Sequence, residues 1–336
     1  DEGMDYCLDL LQDKAALNNV MVSFHAYYGA IGRPRQVMGD HGVPKPDNSK
    51  RTLRRCWVDH NEKFYSDTPL RHKGVNKDEY YADKNIMNDL LEAAHKRGMT
   101  VYKRLYEPHG KEVIEVVENY DSVFEINFEG NKTGSPCLNH PHYQNWILGT
   151  VRDLFSNYDL DGIQFGAERS GPMGGLLHWN GKPACFCEHC KTRMKENSID
   201  PERLRTGFSG LYKYMNELQK TDKAPSDGAW TVYLRHMMHY PETLAWEWQW
   251  HRAQNELHKM VYDSIKAIKP KAQVGRHVSC VETAMDMFYR AGAPSEEMTP
   301  NNDFIKIITY HEITGPRLLW WHLTPLGKTI YKELSH

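Results

Sequence analysis

Two groups of side chains carry the chemistry that this sequence can offer, and both lie near the middle of the chain. Glu168 and Arg169 follow the apolar stretch 162–166, which begins after Asp161 and ends in a glycine-rich segment. A carboxylate and a guanidinium placed directly after a buried strand are typical of (β/α) barrels, whose active sites are built by the loops after the strands. We therefore interpret Glu168 as the leading catalytic candidate and Arg169 as a substrate-binding neighbour. The alternative is an ion pair between them that only organises the loop.

The second group is a set of closely spaced thiols. Cys185, Cys187 and Cys190 form a C-x-C-x2-C run, and Cys137 lies 48 residues before the first of them. Four thiolates complete the tetrahedral shell of a structural zinc. The alternatives are a disulfide with free thiols, or unlinked thiols, but the odd total of 7 cysteines prevents complete pairing and favours metal. The other cysteines are interpreted as ordinary buried thiols: Cys7, Cys56 and Cys280.

A second carboxylate is needed if Glu168 is to cleave a glycosidic bond. One acid protonates the departing oxygen while the other carboxylate stabilises or attacks the oxocarbenium-like centre. Glu312 follows a predicted strand and is the first candidate, while Glu107 and Glu129 end earlier predicted strands. Partial burial at a strand end can keep one such Glu protonated near neutral pH. The side chains predicted to bind substrate are His25, Tyr27, Glu107, Arg169, Arg276, His277 and His311.

Predicted strands and helices alternate along the chain, which indicates an α/β fold with parallel strands joined by right-handed crossovers. The strand candidates are 20–25, 100–106, 122–128, 162–166, 273–279 and 304–310. The helix candidates are 5–17, 78–97, 112–119, 141–157, 201–219, 229–268 with an interruption near Pro241, and 318–336.

We expect a (β/α)8 TIM-type barrel that forms a single domain over residues 1–336. A flap loop is predicted at 29–77 and a zinc-braced loop insertion at 169–200. A closed barrel needs eight strands, and the pattern supplies six. Either two strands are missed, or the native protein continues beyond His336, or the barrel is incomplete at its C-terminus.

The composition narrows the classes of partner. The 42 basic and 44 acidic residues nearly balance, which argues against a nucleic acid held mainly by charge. No apolar run approaches the length of a membrane span. Aromatic residues make up 11%, and their flat faces suit sugar rings, although large core aromatics are the alternative. The sequence indicates a carbohydrate substrate and no organic cofactor, and it leaves a homo-oligomer open.

The order of these motifs resembles the zinc-cluster region of glycoside hydrolase family 42 β-galactosidases. In that family an upstream Cys, an acid/base Glu and a C-x-C-x2-C run follow one another, as Cys137, Glu168 and residues 185–190 do here. The resemblance implies that Glu168 is the acid/base and that the four cysteines bind zinc. It departs at Ala167, where these enzymes place Asn, and the seventh strand that carries their nucleophile is not identified here.

The segment 161–172 is also similar to uncharacterised bacterial glycoside-hydrolase-like barrels, which are often exported. No signal peptide follows Asp1, so the protein is either cytosolic, or periplasmic or extracellular if an export signal was removed.

The sequence therefore predicts a glycoside hydrolase acting on an oligo- or polysaccharide by carboxylate acid/base catalysis. Two other classes stay open. One is a non-catalytic carbohydrate-binding barrel, which would keep the strand-end aromatics but lack the carboxylate pair. The other is a metal-dependent hydrolase that uses His25, His277 and His311 with Glu residues at the barrel mouth.

Overall fold

The computed structural model describes residues 3–26, 55–56, 58–73, 85–166, 169–278, 286–307 and 311–334. The strands are β1 (Asn19–Val22), β2 (His25–Ala26), β3 (Arg55–Cys56), β4 (Arg71–His72), β5 (Thr100–Tyr106), β6 (Val117–Glu118), β7 (Phe124–Ile126), β8 (Lys132–Pro136), β9 (Gly162–Gly166), β10 (Gln273–Val278) and β11 (Phe304–Ile307).

The α-helices are α1 (Met4–Ala15), α2 (Ile86–Lys96), α3 (Pro141–Asn157), α4 (Pro172–Trp179), α5 (Glu188–Glu196), α6 (Pro201–Lys220), α7 (Ala229–His239), α8 (Glu242–Ile268), α9 (Met287–Gly292), α10 (Ser295–Met298) and α11 (His311–Trp321). Short 3-10 helices occupy Glu62–Phe64, Lys111–Glu115, Tyr120–Val123, Thr299–Asn301 and Lys332–Leu334, and a π-helical turn occupies His322–Leu326. Among these described helices, none is both long enough and apolar enough to cross a membrane.

One parallel sheet forms the centre of the described chain, with its strands in the order β1, β5, β9, β10, β11. Each later strand is added to the same edge of the sheet. This is the winding of a (β/α) barrel, whereas a doubly wound sheet reverses its order in the middle. Within the described residues β1 and β11 do not pair, so the sheet is an open half-barrel and the predicted closed eight-strand barrel is not confirmed.

The main core lies between one face of this sheet and the helices α2, α3 and α8. On β5 the side chains alternate between the two faces, as the period of a strand requires, with Val101 and Leu105 on the buried face. They pack in one cluster with Leu154 of α3 and Val261 of α8. We call this the helix-covered face of the sheet.

A second core is formed by helices alone. Segment 169–200, predicted as a loop insertion, contains α4 and α5, and it packs against α6, α7 and α8. Apolar side chains at helical spacing join this core: Met173, Leu176, Met194, Leu204, Phe208, Leu211, Tyr233 and Trp246. The insertion is therefore an ordered helical layer beside the half-barrel.

The prediction of a third parallel strand at 122–128 is wrong. Only Phe124–Ile126 is extended, and it pairs antiparallel with Lys132–Pro136 to form a hairpin outside the main sheet. The side chain of Asn127 accepts hydrogen bonds from the N–H groups of Glu129 and Asn131, and Gly130 has a φ of 88°. This turn reverses the chain before a longer strand can form, because Gly adopts positive φ without strain.

Two further elements differ from their predictions. Residues 112–119 form a 3-10 helix at Lys111–Glu115 followed by the short strand β6, which pairs with β4. The last helix begins at His311, not at Leu318, so His311 and Glu312 are its first residues. Most of the predicted flap, 29–77, lies outside the described residues, and its described part carries β3 and β4.

Candidate functional site

A cavity of about 490 Å³ opens beside the carboxyl edge of the sheet. Its walls come from the β7–β8 hairpin, the segment that follows β9, helix α4 and helix α8. Its charged members are Glu125, Lys132, Arg169 and Lys182, and its indole rings belong to Trp179 and Trp250. The cavity therefore lies where a (β/α) barrel places its chemistry.

Arg169 is held between two buried carboxylates at the wall of this cavity. Its Nη1 donates to Glu107 Oε2 at 2.9 Å, and its Nη2 lies 3.0 Å from Glu125 Oε1. Nη1 also donates to the carbonyl of Pro136 at 3.1 Å, and the guanidinium lies 5.4 Å from the ring centre of Trp250. The exposed fractions are 8% for Arg169, 0% for Glu107 and 7% for Glu125, so the three charges interact with little screening by water.

One guanidinium can compensate only one of the two carboxylates fully. Burial raises the pKa of the Glu125 carboxyl, and Arg169 offsets only part of this rise. Burial lowers the pKa of Arg169, but Glu125 and Glu107 together bring it above its ordinary value, so the guanidinium stays charged. The group therefore tends to keep one proton on Glu125, the carboxyl that lines the cavity.

Indole rings provide the apolar surface of the site. Trp250 is 4% exposed, and its Nε1 donates to Glu125 Oε1 at 3.4 Å. Trp179 is 56% exposed at the end of α4, with its ring centre 5.3 Å from that of Trp321. An exposed indole at the rim of a polar cavity suits a ligand with one apolar face and a hydroxylated edge.

Several predicted site residues fall outside what can be described. Glu168 and Tyr27 lie outside the described residues. The backbone of His311 and Glu312 belongs to α11, but their side chains are not described. These two residues begin a helix, and their position directly after a strand stays a prediction, since β11 ends at Ile307 and residues 308–310 are not described.

Strand alternation separates two other predicted substrate-binding residues. Arg276 lies on the helix-covered face of the sheet, where Nη1 donates to Asn255 Oδ1 at 2.6 Å and Nη2 to Gln254 Oε1 at 2.8 Å. Neighbouring side chains on a strand point to opposite faces, so His277 lies on the other face of the sheet. There its Nδ1 is 2.5 Å from Nε2 of Gln164. Neither side chain is part of the cavity wall described above.

The predicted barrel-mouth metal set is not assembled from His25 and His277. In the described residues, two groups of three or more metal-ligand side chains converge: the four cysteines, and His25 with His60 and His72. Glu129, an alternative second carboxylate, forms a half-exposed ion pair with Lys182 at 2.5 Å.

The four cysteines Cys137, Cys185, Cys187 and Cys190 form one cluster between the β7–β8 hairpin and α5. All four are free thiols, and their Sγ atoms lie within 4.8 Å of one another. Cys137 Sγ lies 3.6 Å from Cys187 Sγ and 3.4 Å from Cys190 Sγ. These separations are close to the edge of about 3.8 Å that a tetrahedron with zinc–sulfur bonds of about 2.3 Å would have.

The surroundings of the thiols also fit bound metal. The N–H groups of Ile126 and Cys187 donate to Cys185 Sγ at 3.3 and 3.4 Å, and Asn139 Nδ2 donates to Cys190 Sγ at 3.4 Å. Such donors stabilise thiolates, the form that binds metal.

Glycines at the start of α4 make room for buried carboxylates. A Cβ on Gly171 would overlap the carboxylate of Glu247, and one on Gly174 would overlap that of Asp286. Glu247 accepts a hydrogen bond from the N–H of Met173 at 2.7 Å, and so satisfies an otherwise free donor of the first helical turn. The glycine-rich sequence is therefore required by packing against α8 and α9.

Gly174→Ala is expected to lower the free energy of unfolding by about 1–3 kcal/mol, because the new methyl must displace the buried Asp286 carboxylate. Gly175→Ala is the matched control in the same helix, since its Cβ would meet nothing within 4 Å. We expect this control to be neutral or to gain up to about 1 kcal/mol from helix propensity. Urea unfolding measures both, and equal stability of the two variants would contradict the packing argument.

No family model matches the chain, and no curated protein matches it. The chain is similar to solved structures of glycoside hydrolases. One is a β-galactosidase from Rahnella sp. R3, with 13% identity, a TM-score of 0.45, and coverage of 91% of this chain and 36% of that one. Another is a catalytic mutant of a family 42 β-galactosidase from G. stearothermophilus, with 11% identity, a TM-score of 0.46, and coverage of 91% and 37%.

A third is an α-L-fucosidase isoenzyme from Paenibacillus thiaminolyticus, with 13% identity, a TM-score of 0.42, and coverage of 81% of this chain and 29% of that one. The chain thus spans about a third of the length of these structures. Since the TM-scores lie below 0.5 and the identities below 25%, we draw no conclusion about activity from these similarities.

Proposed function

We propose that the chain carries the active site of a glycoside hydrolase in the cavity beside Arg169. The observation that supports this most is the buried pair Glu107 and Glu125 sharing one guanidinium at the wall of an open cavity. Glycoside cleavage needs one carboxyl that holds a proton and one that does not. A carboxyl whose pKa is raised by burial, such as that of Glu125, is suited to the first role.

Glu168 remains the proposed acid/base because it precedes Arg169 directly in the chain. Glu125 joins Glu168 as a candidate for the proton-holding carboxyl, because burial raises its pKa and it lines the cavity. Glu312 and Glu107 stay the candidates for the second carboxylate. In this arrangement Arg169 donates a hydrogen bond to Glu107, and Trp179 offers its exposed ring to the sugar. A carboxyl separation of about 5–5.5 Å would give retention of configuration, and one of about 6.5–9.5 Å inversion.

The test is hydrolysis of a panel of aryl glycosides and natural oligosaccharides by the wild type, Glu168→Gln and Glu125→Gln. Each variant is expected to lose about 10²–10⁴-fold in kcat on any substrate that the wild type cleaves, the usual contribution of an acid/base group. Glu196→Gln, at an exposed position of α5, is the control and should keep wild-type activity. Full activity of Glu168→Gln would remove that residue from the mechanism.

A second candidate function is carbohydrate binding without turnover. It is favoured by the contacts of Arg169, which already engage both carboxylates and would leave neither free to react. If calorimetry shows that the wild type binds a sugar and activity assays show that it does not hydrolyse that sugar, this second function is supported. Loss of that binding in Trp179→Ala would locate the sugar in the same cavity.

We also propose that the cysteine cluster binds one structural zinc. Its ligands would be Cys137, Cys185, Cys187 and Cys190, and the converging thiols and their N–H donors support this assignment. A closed four-thiolate site leaves no open position for substrate, so the metal would brace the structure and take no part in catalysis. Pro183 and Ala184 line the cavity directly before Cys185, and the brace would therefore hold one wall in place.

A further inference from the structure

A second group of metal-ligand side chains lies beside the short strands β2 and β4 and helix α3. His25 of β2, His60, and His72 of β4 each bring one ring nitrogen within 4.8 Å of the others. His25 is 5% exposed and the side chain of His60 is 7% exposed. The ring of Trp146 on α3 covers the group, 4.7 Å from the ring centre of His72. We call this the histidine cluster.

The hydrogen bonds of His60 set its tautomer. Its Nδ1 lies 2.8 Å from Oδ2 of Asp153, a residue that is 1% exposed, and a buried carboxylate can only accept. Asp153 Oδ2 also accepts from the N–H of Asn61 at 2.9 Å, and the hydroxyl of Tyr65 lies 2.7 Å from the same Nδ1. Nδ1 of His60 therefore carries a proton, and in the neutral ring Nε2 presents its lone pair.

That Nε2 of His60 points into the cluster. It lies 2.9 Å from Nε2 of His25 and 3.4 Å from Sγ of the buried Cys56. Histidines that bind metals usually donate their other N–H to a carboxylate or a carbonyl, and this fixes the ring as Asp153 fixes His60. Ligand nitrogens around a tetrahedral zinc, at about 2.0–2.1 Å from it, stand about 3.3 Å apart, near the separation found here.

We propose that His25, His60 and His72 bind a zinc ion. Cys56 lies outside this converging group, but its Sγ is 3.4 Å from Nε2 of His60, and its thiolate would become the fourth ligand by a small shift towards the ion. Imidazole and thiolate together favour zinc over the hard cations calcium and magnesium, which prefer oxygen. The burial and the missing open position make the site structural. It would join β2 and β3 to β4 and α3, in addition to the short strand pairings β2–β3 and β4–β6.

Two features of the structure define what zinc binding requires. The rings of His60 and His72 are stacked, with centres 4.0 Å apart and planes 15° apart, so both nitrogens reach one ion only after His72 turns about its χ2. That torsion has a broad minimum in histidine. The fully buried Lys103 interacts electrostatically with His25 and Cys56, and burial lowers its pKa to about 7, so its neutral amine is accessible near pH 7 beside a bound cation.

The alternative is a metal-free network. Burial lowers the pKa of His60, but the hydrogen bonds and charges of Asp153 and Cys56 together outweigh it and raise this pKa to about 9. Without metal the group would therefore be an imidazolium–carboxylate pair with two neutral histidines beside it. The two states differ in metal content, and this difference can be measured independently of any catalytic activity.

The experiment uses the full chain, stripped with a chelator and reconstituted with Zn²⁺ or Co²⁺. Metal analysis is expected to find two ions per chain, one bound by the four cysteines and one by the histidine cluster. Cys187→Ser should remove the first ion only. His72→Gln should remove the second only, with a Co²⁺ spectrum that keeps the thiolate-rich bands of the cysteine site.

His95→Gln is the matched control, because His95 pairs with Asp161 at 2.8 Å on α2, away from the cluster. It should keep both ions. Asp153→Asn tests the positioning of His60 and should weaken the second site by about 10–100-fold. Added Zn²⁺ should raise the Tm of stripped Cys187→Ser but not of the double variant with His72→Gln, which keeps the test valid if one variant is unstable.

One ion per chain that is lost in Cys187→Ser and kept in His72→Gln would overturn the proposal. So would a wild type with no metal at all after reconstitution. In either case the histidine cluster is the imidazolium–carboxylate network, and the proposed glycosidase activity is unaffected because it rests on other residues.

Discussion

Arg169→Met is expected to lower the free energy of unfolding by about 3–5 kcal/mol, the usual cost of removing one partner from a buried ion pair. The side chain compensates Glu107 and Glu125 at 2.9 and 3.0 Å, and all three residues are at most 8% exposed. Met keeps much of the volume, so the loss would be mainly electrostatic. Urea unfolding at pH 7 measures it.

The pH dependence of this loss separates charge from packing. With Arg169 gone, nothing offsets the rise that burial causes in the pKa of Glu125, so the folded protein binds more protons than the unfolded chain. Its stability relative to the wild type must then rise as the pH falls. We expect the deficit of Arg169→Met to shrink between pH 7 and pH 5, and a deficit that is constant with pH would point to packing.

Two variants calibrate the measurement. Arg235→Met removes an exposed ion pair with Asp227, 2.8 Å long, and should cost less than about 1 kcal/mol. Arg169→Lys keeps the positive charge but offers one ammonium group in place of two separate N–H groups. Its free energy of unfolding should therefore lie between those of the wild type and Arg169→Met. If Arg169→Lys matched Arg169→Met, the bidentate geometry and not the charge would be the essential feature.

Local sequence signals were sufficient for most elements of the half-barrel. Strands 100–106 and 162–166 and helix 141–157 are found with the predicted bounds. In the first strand a regular alternation marks the two faces, and Pro141 begins the helix where a missing N–H costs nothing. Each of these signals depends on residues that are close together in the chain, so it can be recognised without knowing the tertiary structure.

The errors arose where a distant or conformational effect decided the structure. Residues 122–128 have the apolar character of a strand, but the Asn127 side chain and Gly130 close a turn inside the predicted stretch. Cys7, predicted to be buried, is exposed on α1. The first outcome depends on the chemistry of a turn and the second on what packs against α1, and the periodicity of apolar residues reports neither.

The candidate site was predictable only in part, because the residues that contact one another in it are far apart in the chain. The cysteine cluster followed from spacing, whereas Glu125 was missed although a carboxyl inside the apolar run 124–126 is an unusual signal. Arg169 binds it from 44 residues away. His60 and His72 were missed because their segment has no period, and nothing in the sequence relates them to His25.

Cys137→Ala is the second prediction with a large effect, and it follows from the proposed zinc. Cys137 is the one ligand that comes from the hairpin side, and its N–H donates to the carbonyl of Val123 at 2.8 Å. The variant should lose one zinc per chain. The unfolding free energy should fall by on the order of 4 kcal/mol, the linkage contribution of a metal present at about a thousand times its Kd.

Cys7→Ala, which removes an exposed thiol far from the cluster, should keep both the metal and the stability. The wild type should lose its zinc as the pH falls, since the thiolates must take up protons when the metal leaves. A chelator should therefore lower the Tm of the wild type and of Cys7→Ala by more than it lowers the Tm of Cys137→Ala, which has already lost the zinc of the cysteine cluster. Full metal content in Cys137→Ala would refute the ligand assignment.

The effect of Cys137→Ala on the cavity shows whether the zinc stabilises the cavity wall in particular or only the fold as a whole. The hairpin residue Ile126 donates to Cys185 Sγ at 3.3 Å and directly follows Glu125. Loss of the metal should loosen both Glu125 and the wall at 183–184, so KM for any substrate should rise and kcat should fall together. Gly174→Ala, which disturbs α4 but no thiol, should change stability without changing metal content. If the two variants instead affected the cavity equally, the zinc would act on global stability alone.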